Sequence, residues 1–235
     1  GWFQFLEWAV QDQLFHLRPQ EPKDERIAIV TIDEPDIVAV GQWPMSDAKL
    51  AQLIEKIAAQ QPGVIGLDLY RDLPIEPGHQ DLTRVMKSTP NLIGVEKVVG
   101  ETVAPPQVLS QLNRVAMSDL LLDTDTKVRR ALILSKDDKD RDRLGLAVMS
   151  CLEYLKPQGI ELESIDARTK KYKLGKALFV PLTGDGNYRK AEVGGYQILL
   201  NYRGPIEPFH TISMTDVLAN RVPSNFFRDR IVFIG

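Results

Sequence analysis

The chain has 235 residues, 43% of them hydrophobic, and a formal net charge of −3 at pH 7. This share of apolar side chains is enough for a substantial core and excludes general disorder. The near balance of 29 basic and 32 acidic residues excludes a global attraction to nucleic acid, so we expect no nucleic-acid partner.

The chain begins with an aromatic segment that predicts a helix over residues 2–17. Its aromatic and leucine side chains include Trp2, Phe3, Phe5, Leu6, Trp8 and Phe15. Such a segment is typical of a helix at a membrane interface, and equally of a helix that packs on its own domain. No stretch of the sequence reaches the ~20 apolar residues of a membrane span, so we expect any span to lie outside it. We assign residues 1–20 to this helix and residues 21–235 to one domain.

The next segment predicts a βαβ unit. Residues 27–32 are apolar and β-branched and end before Pro35, which indicates a buried strand. Ser46 can cap the helix that follows, and residues 64–69 form a second apolar run. A crossover of this length predicts that the two strands are parallel neighbours in one sheet.

The remainder continues the alternation of strands and helices. Helices are predicted around residues 82–86, 144–155 and 214–219, strands over residues 92–98, 128–134, 196–202 and 231–234, hairpin strands within residues 161–182, and a loop over residues 184–195. The single cysteine, Cys151, has apolar neighbours that predict a buried, unreactive thiol. The pattern predicts an α/β fold, a single domain with a mixed, largely parallel sheet covered by helices, plus the N-terminal helix.

Enzyme and metal motifs are missing from the sequence. It has no G-x-S-x-G elbow, Walker loop, H-E-x-x-H or C-x-x-C, and its three histidines are scattered. Asp138, Asp140 and Asp142 have the rhythm of a calcium loop, but Arg143 occupies the position that needs glycine, and residues 185–189 fail similarly. We therefore expect a non-catalytic chain with no metal or other cofactor.

Acidic side chains follow two of the predicted strands. Asp33 and Glu34 come after the first, and Asp68 lies near the end of the second. Because α/β sheets bind ligands at the carboxyl ends of their strands, we expect these acids to gather there. Arg129-Arg130 and Arg203 are candidates for the compensating charge. The acids could bind a divalent cation or a cationic ligand, or they could cap helices and pair with arginine, and the sequence leaves both open.

A series of short motifs occurs in order along nearly the whole chain. They are residues 27–34 (IAIVTIDE), 41–44 (GQWP), 64–69 (VIGLDL), 123–130 (DTDTKVRR), 200–204 (LNYRG), 212–218 (ISMTDVL) and 230–235 (RIVFIG). Together they resemble the CHASE type 2 domain family. The sequence departs from the family pattern at Thr126-Lys127, where a glycine commonly makes the turn, and at Met45, where an aromatic or larger residue often follows Trp43-Pro44.

The resemblance implies an extracytoplasmic (periplasmic) sensory domain of a bacterial membrane protein. Such a domain lies between membrane spans and serves a cytoplasmic histidine kinase, adenylate cyclase or other output domain, without catalysis of its own. The N-terminal helix would then lead from the membrane and is our candidate transmitter of the signal. We also expect a homodimer.

The predicted ligand is an unidentified small molecule or ion. The predicted binding residues are Asp33, Glu34, Trp43, Asp68, Arg130 and Arg203. Two other hypotheses stand beside sensing. One is a metal-dependent hydrolase-like module built on Asp33, Glu34 and Asp68, and the other is a scaffold that only dimerises.

Overall fold

The computed structural model describes residues 2–183, 188, 194–204 and 209–235. Its helices are α1 (Trp2–Leu17), α2 (Glu34–Val40), α3 (Asp47–Ala58), α4 (His79–Ser88), α5 (Gln107–Gln111), α6 (Leu146–Leu155) and α7 (Met214–Leu218). Its strands are β1 (Asp24–Thr31), β2 (Val64–Leu67), β3 (Leu92–Glu96), β4 (Val115–Met117), β5 (Arg130–Lys136), β6 (Asp142–Leu144), β7 (Leu162–Asp166), β8 (Lys171–Leu174), β9 (Ala177–Phe179), β10 (Tyr196–Leu199), β11 (Phe209–Ser213) and β12 (Ile231–Ile234). Among the described residues, no helix has the length and apolar character needed to cross a membrane.

A six-stranded parallel sheet forms the centre of the fold, in the order β11-β1-β12-β2-β3-β4. This confirms the predicted α/β class, and α1 confirms the predicted N-terminal helix. The prediction that β1 and β2 are neighbours is wrong, because β12 lies between them and pairs with both. The four residues of β12 are all apolar, which is typical of a central strand with both faces covered.

Two smaller antiparallel sheets, β10-β5-β6 and β7-β8-β9, are formed by strands between residues 130 and 199. The second of them confirms the hairpin strands predicted within residues 161–182. A parallel bridge between Met117 and Gly145 joins the end of β4 to the chain just after β6. The loop predicted at residues 184–195 lies outside the described residues, except for residues 188, 194 and 195, as does the calcium-like segment at 185–187 and 189.

The main core lies between the large sheet and helices α3, α4 and α7. Val30 of β1 and Leu53 of α3 are fully buried in it. Ser46 caps α3 as predicted, because its hydroxyl accepts a hydrogen bond from the Lys49 backbone N–H at 3.4 Å. Helix α6 packs on a second, smaller core through Leu146 and Met149.

Helix α2 is missing from the sequence prediction because Pro35 indicates the end of a strand. In the structure Pro35 lies in the first turn of α2. There its fixed φ angle suits the helix and its missing N–H removes no helical hydrogen bond. Proline therefore marks a helix start here as well as a strand end.

Cys151 corrects a second expectation, because it is exposed and not buried. The buried residue of α6 is its neighbour Ser150, and the helix meets the sheet through Leu146, Met149 and Tyr154. The thiol still has protein on several sides, and desolvation by these neighbours raises the pKa of Cys151, so the thiol stays protonated and weakly nucleophilic near neutral pH.

Candidate functional site

The acids predicted to gather at the sheet edge are separated in the structure. Asp33 caps α2: its side chain accepts a hydrogen bond from the Asp36 backbone N–H at 3.1 Å, while Asp36 accepts one from the Asp33 N–H at 3.2 Å. Asp36 is buried and also accepts from the Thr215 N–H at 2.8 Å. Burial raises the pKa of Asp36, but these hydrogen bonds outweigh it and lower the pKa overall. Asp33 and its partner therefore have a structural role.

Asp68 lies just beyond β2, and β12 separates it from the end of β1. Its side chain reaches solvent, yet desolvation by the surrounding protein raises its pKa. Glu34 and Trp43 are exposed, Trp43 to 47%. Within the described residues, no group of three or more His, Cys, Asp or Glu side chains could hold a metal ion.

Arg129-Arg130 and Arg203 do not pair with these acids, so that part of the prediction is wrong. Arg203 contacts Asp24 at 3.4 Å and Glu21 at 3.3 Å, at the opposite end of β1. Hydrogen bonds from Arg26, with Arg203 nearby, lower the pKa of Asp24 to about 2. The six predicted residues therefore do not form one site, and their roles in ligand binding stay predictions.

A buried cluster of charges lies instead where α1 meets the start of β5. We define the Arg129 cluster as Asp12, Asp123, Asp125, Lys127, Arg129 and Arg130. The side chains of Asp123, Arg129 and Arg130 are 1%, 6% and 8% exposed. The three carboxylates balance the three cations, as burial of ionised groups requires.

Arg129 is the centre of this cluster. Its guanidinium donates to both oxygens of Asp12, at 2.8 Å from Nε and 2.9 Å from Nη2. It also donates to both oxygens of Asp125, at 2.9 and 2.7 Å, and to Asp123 at 3.0 Å. Asp12 belongs to α1, whereas the other two acids precede β5. One arginine fork thus holds the N-terminal helix on the rest of the chain.

Asp123 extends the cluster toward β10. Its Oδ1 accepts from Arg130 Nε at 2.8 Å, and its Oδ2 accepts from the Tyr188 hydroxyl at 3.1 Å. Arg130 also donates to the side-chain oxygen of Gln197 on β10, at 2.8 Å. Desolvation, with the charge of Asp123, raises the pKa of Tyr188, so its hydroxyl stays protonated and donates. The cluster therefore connects α1, β5 and β10.

Trp8 lies one turn before Asp12 on the same side of α1 and is 2% exposed. The guanidinium carbon of Arg129 is 5.0 Å from its ring centroid, a cation–π distance. The rings of Phe5 and Tyr188 are 5.8 and 5.9 Å from it. Trp8 thus supports the interpretation that α1 packs on its own domain.

The far end of α1 is held as well. Arg18, just after the helix, donates to the side chain of Asn201 and pairs with Glu21 at 2.8 Å. The ring of Phe15 lies 6.2 Å from that of Tyr202, whose hydroxyl donates to a backbone carbonyl at 2.6 Å. Residues of the 123–130 and 200–204 motifs therefore form the surface on which α1 packs. We call this surface the seat of α1.

A comparison of the chain with models of known protein families agrees with the resemblance seen in these motifs. A family model, the CHASE2 domain, matches residues 1–235, which is the whole chain. The chain belongs to the CHASE2 domain family. CHASE2 domains are extracytoplasmic sensory domains, and this supports the predicted sensory, extracytoplasmic and non-catalytic character of the chain. No curated protein and no solved structure gives a significant match.

The side of α1 opposite the Arg129 cluster is apolar and uncovered in this CHASE2 domain. Leu6, Val10, Leu14 and Leu17 are 63%, 59%, 60% and 78% exposed. Helix residues are about 100° apart, so these four form one stripe that faces away from Trp8. We call Leu6, Val10, Leu14 and Leu17 the α1 stripe. Helix α1 therefore has one anchored side and one free apolar side.

The turn before Arg129 shows why glycine suits the position that Thr126 occupies. Thr126 has a φ of 64°, the left-handed region in which glycine is favoured and a β-branched residue is strained. We expect Thr126→Gly to raise the free energy of unfolding by about 0.5–1 kcal/mol, because relief of strain exceeds the added chain entropy. Urea denaturation measures this change.

Thr124 provides the matched control, since it lies in the same turn, is exposed and has no positive φ. Thr124→Gly adds the chain entropy of glycine without relieving strain, so it should lower stability by about 0.5–1 kcal/mol. Equal changes in the two variants would contradict the account of this turn.

Acid is expected to release α1 from the CHASE2 core. Hydrogen bonds from Arg129 hold the pKa of Asp12 well below its usual range and lower the pKa of Asp125. The ionised form of these two carboxylates therefore stabilises the fold fully above the unfolded pKa of about 3.9. This stabilisation is lost progressively as the pH falls from that value through the lower pKa values of the folded state. In a variant with Trp2→Phe and Trp43→Phe, the fluorescence of Trp8 should shift toward that of an exposed indole over this range. If Asp12→Asn left that acid transition unchanged, the assignment to Asp12 would be wrong.

Proposed function

We propose that this CHASE2 domain is the signal-sensing input domain of a bacterial transmembrane receptor, such as a histidine kinase or an adenylate cyclase. It relays the binding of a ligand or partner across the membrane through spans that flank it, and α1 is the element that carries the signal. The observation that supports this most is the seating of α1 by the Arg129 cluster, because one small rearrangement of that cluster would free or shift the helix.

The contacts of the Arg129 cluster favour a helix α1 that switches between a docked and an undocked state over a helix that has only a structural role. Its hydrogen bonds to α1 run almost wholly through Asp12, which contacts Arg129 and Lys127. An apolar contact of the same size would be more stable and less specific in register. These ion pairs give α1 one defined docked position. A change in β5 or β10 can shift the equilibrium between the docked and the undocked helix.

The relay is tested in the membrane-bound protein that contains this domain. Asp12→Asn removes the charge that Arg129 and Lys127 bind, and it should change the basal output and weaken its response to stimulus. Glu7→Gln is the matched control, since Glu7 is exposed on the same helix. Output of Asp12→Asn equal to that of the wild type would contradict the role of α1.

We also propose that the domain acts as a homodimer in which the α1 stripe packs against the same stripe of a second copy. Helix α1 contains no lysine or arginine, which an anionic lipid surface would need beside an apolar stripe. The spacing of the stripe, four, four and three residues, is near the seam period of paired helices. A second identical helix therefore fits better than a lipid surface.

Analytical ultracentrifugation tests this dimer. Val10→Glu should yield monomers at concentrations where the wild type dimerises. Val38→Glu is the matched control, because Val38 is 77% exposed on α2, away from the stripe. A monomeric wild type, or a dimer that tolerates Val10→Glu, would contradict the proposal.

The metal-dependent hydrolase hypothesis has no support from the residues it was built on. Asp33 caps a helix, Glu34 is exposed, and Asp68 lies two strands away. A scaffold without a ligand differs from the proposed sensor only by the lack of a ligand-binding site.

A further inference from the structure

A large cavity lies between the two antiparallel sheets. Its walls come from β5 and β6 on one side, from β8 and β9 on the other, and from Val148 of α6. Its volume is about 650 Å³, within the range of small-molecule sites. None of the residues predicted from the sequence to bind a ligand lines it.

The walls of this inter-sheet cavity are mostly apolar. Ile133, Leu144, Leu174 and Phe179 contribute aliphatic and aromatic surface. Tyr172 and Tyr196 face each other with ring centroids 5.8 Å apart. An occupant would therefore need an apolar body, because a fully polar molecule would lose its hydration without gaining partners.

Two polar groups give the cavity a charge preference. The Tyr196 hydroxyl is buried and has no hydrogen-bond partner among the described residues. Lys170, which also lines the cavity, forms no ion pair within the described part of the chain. Lys136, by contrast, is already paired with Asp140 at 3.0 Å and lies 3.8 Å from Asp142, the one carboxylate among the cavity-lining residues that the structure describes. Among the residues that the structure describes, the Lys170 ammonium and the Tyr196 hydroxyl therefore have no competing partner for an acid group of a ligand.

The cavity is connected to the seat of α1 through β10. Tyr196 lines the cavity, and the next residue, Gln197, accepts the hydrogen bond from Arg130 in the Arg129 cluster. The pairing of β10 with β5 changes register between these two residues. A ligand that moves Tyr196 would therefore act on a strand segment whose pairing is already irregular, next to the residue that touches the cluster.

We propose that the inter-sheet cavity binds a small amphipathic carboxylate, with its apolar body between the sheets and its acid group near Lys170. That this molecule is the stimulus of the domain rests on the proposed sensory function. The binding of the carboxylate does not rest on that function, since the walls of the cavity are formed by residues of this chain.

The test is calorimetric titration of the 235-residue chain with sodium decanoate below its micelle concentration, beside decanol and acetate. Decanoate should bind saturably at one site, decanol about tenfold more weakly because it lacks the charged group, and acetate not at all. Lys170→Gln should lower the affinity for decanoate about tenfold and leave the affinity for decanol unchanged. Tyr196→Phe should also lower the affinity for decanoate. Lys173→Gln, an equal change of charge at a residue that does not line the cavity, should have no effect.

Three results would overturn the proposal: no saturable binding of decanoate, equal affinity for decanol, or wild-type binding by Lys170→Gln. Failure of the sensory function looks different. In that case decanoate would bind as expected, but Asp12→Asn would leave the output of the membrane-bound protein unchanged.

Discussion

Arg129→Ala is expected to lower the free energy of unfolding by about 3–5 kcal/mol, the loss typical when one partner of a buried ion pair is removed. Arg129 is 6% exposed and binds three carboxylates, of which Asp123 is 1% exposed. Asp12 and Asp125 can regain water once α1 moves away, whereas Asp123 cannot. The loss should appear in urea denaturation together with a red shift of the Trp8 fluorescence.

Two further variants make the Arg129 result specific. Arg129→Lys keeps the charge but loses the bidentate hydrogen bonds, so its free energy of unfolding should lie between those of the wild type and of Arg129→Ala. Arg84→Ala removes an exposed arginine that pairs with Glu55 at 3.0 Å, and it should leave stability unchanged within error. If Arg129→Ala behaved like Arg84→Ala, the cluster would not hold the fold together.

Trp8→Ala is expected to have the second large effect, a loss of about 3–5 kcal/mol of packing at the seat of α1. Trp8 is 2% exposed and lies between Arg129, Tyr188 and Phe5. Because Trp8 is the side chain of α1 that lies buried against Arg129 and Tyr188, we expect α1 to detach while the sheet stays folded. Limited chymotrypsin digestion should then cut within residues 2–17.

Trp43→Ala is the control for this digestion. Trp43 is 47% exposed and makes no ring contact with another aromatic side chain in the described residues. The pattern of cleavage in Trp43→Ala should match that of the wild type. Protection of α1 in Trp8→Ala would mean that the helix is held by other contacts.

The fold was largely predictable from the sequence, because the signals for its elements are local. The apolar runs at β1, β2 and β12 and the cap at Ser46 appear in the structure where the sequence places them. The order of the strands was not predictable. The last strand of the chain inserts between β1 and β2, and pairing at that distance along the chain leaves no local pattern.

The candidate site was predictable only in part. The sequence identifies Arg129-Arg130 as compensating charge, but it assigns them to the acids that follow β1 and β2. In the structure they pair with the acids of the Arg129 cluster, because the path of the chain after β4 leaves no local pattern in the sequence. Asp12 and Trp8 were missed as partners. Their spacing of four residues puts them on one side of α1, yet only the tertiary structure brings Arg129 to that side.

The inter-sheet cavity was also beyond prediction from sequence. Its walls come from strands of two sheets and from α6, and each strand alone has an ordinary alternation of polar and apolar residues. Within the described residues, Lys170 has no ion pair and the Tyr196 hydroxyl has no hydrogen-bond partner, and both features depend on the assembled walls and not on any one segment.

Amide hydrogen exchange of α1 tests the central claim most directly, since that claim is that the Arg129 cluster seats this helix through Asp12. In the wild type and in Glu7→Gln, the backbone amides of residues 6–17 should be protected. In Asp12→Asn they should exchange faster, while the amides of β1, β2 and β12 keep their protection. Equal protection of α1 in Asp12→Asn and in the wild type would contradict the account.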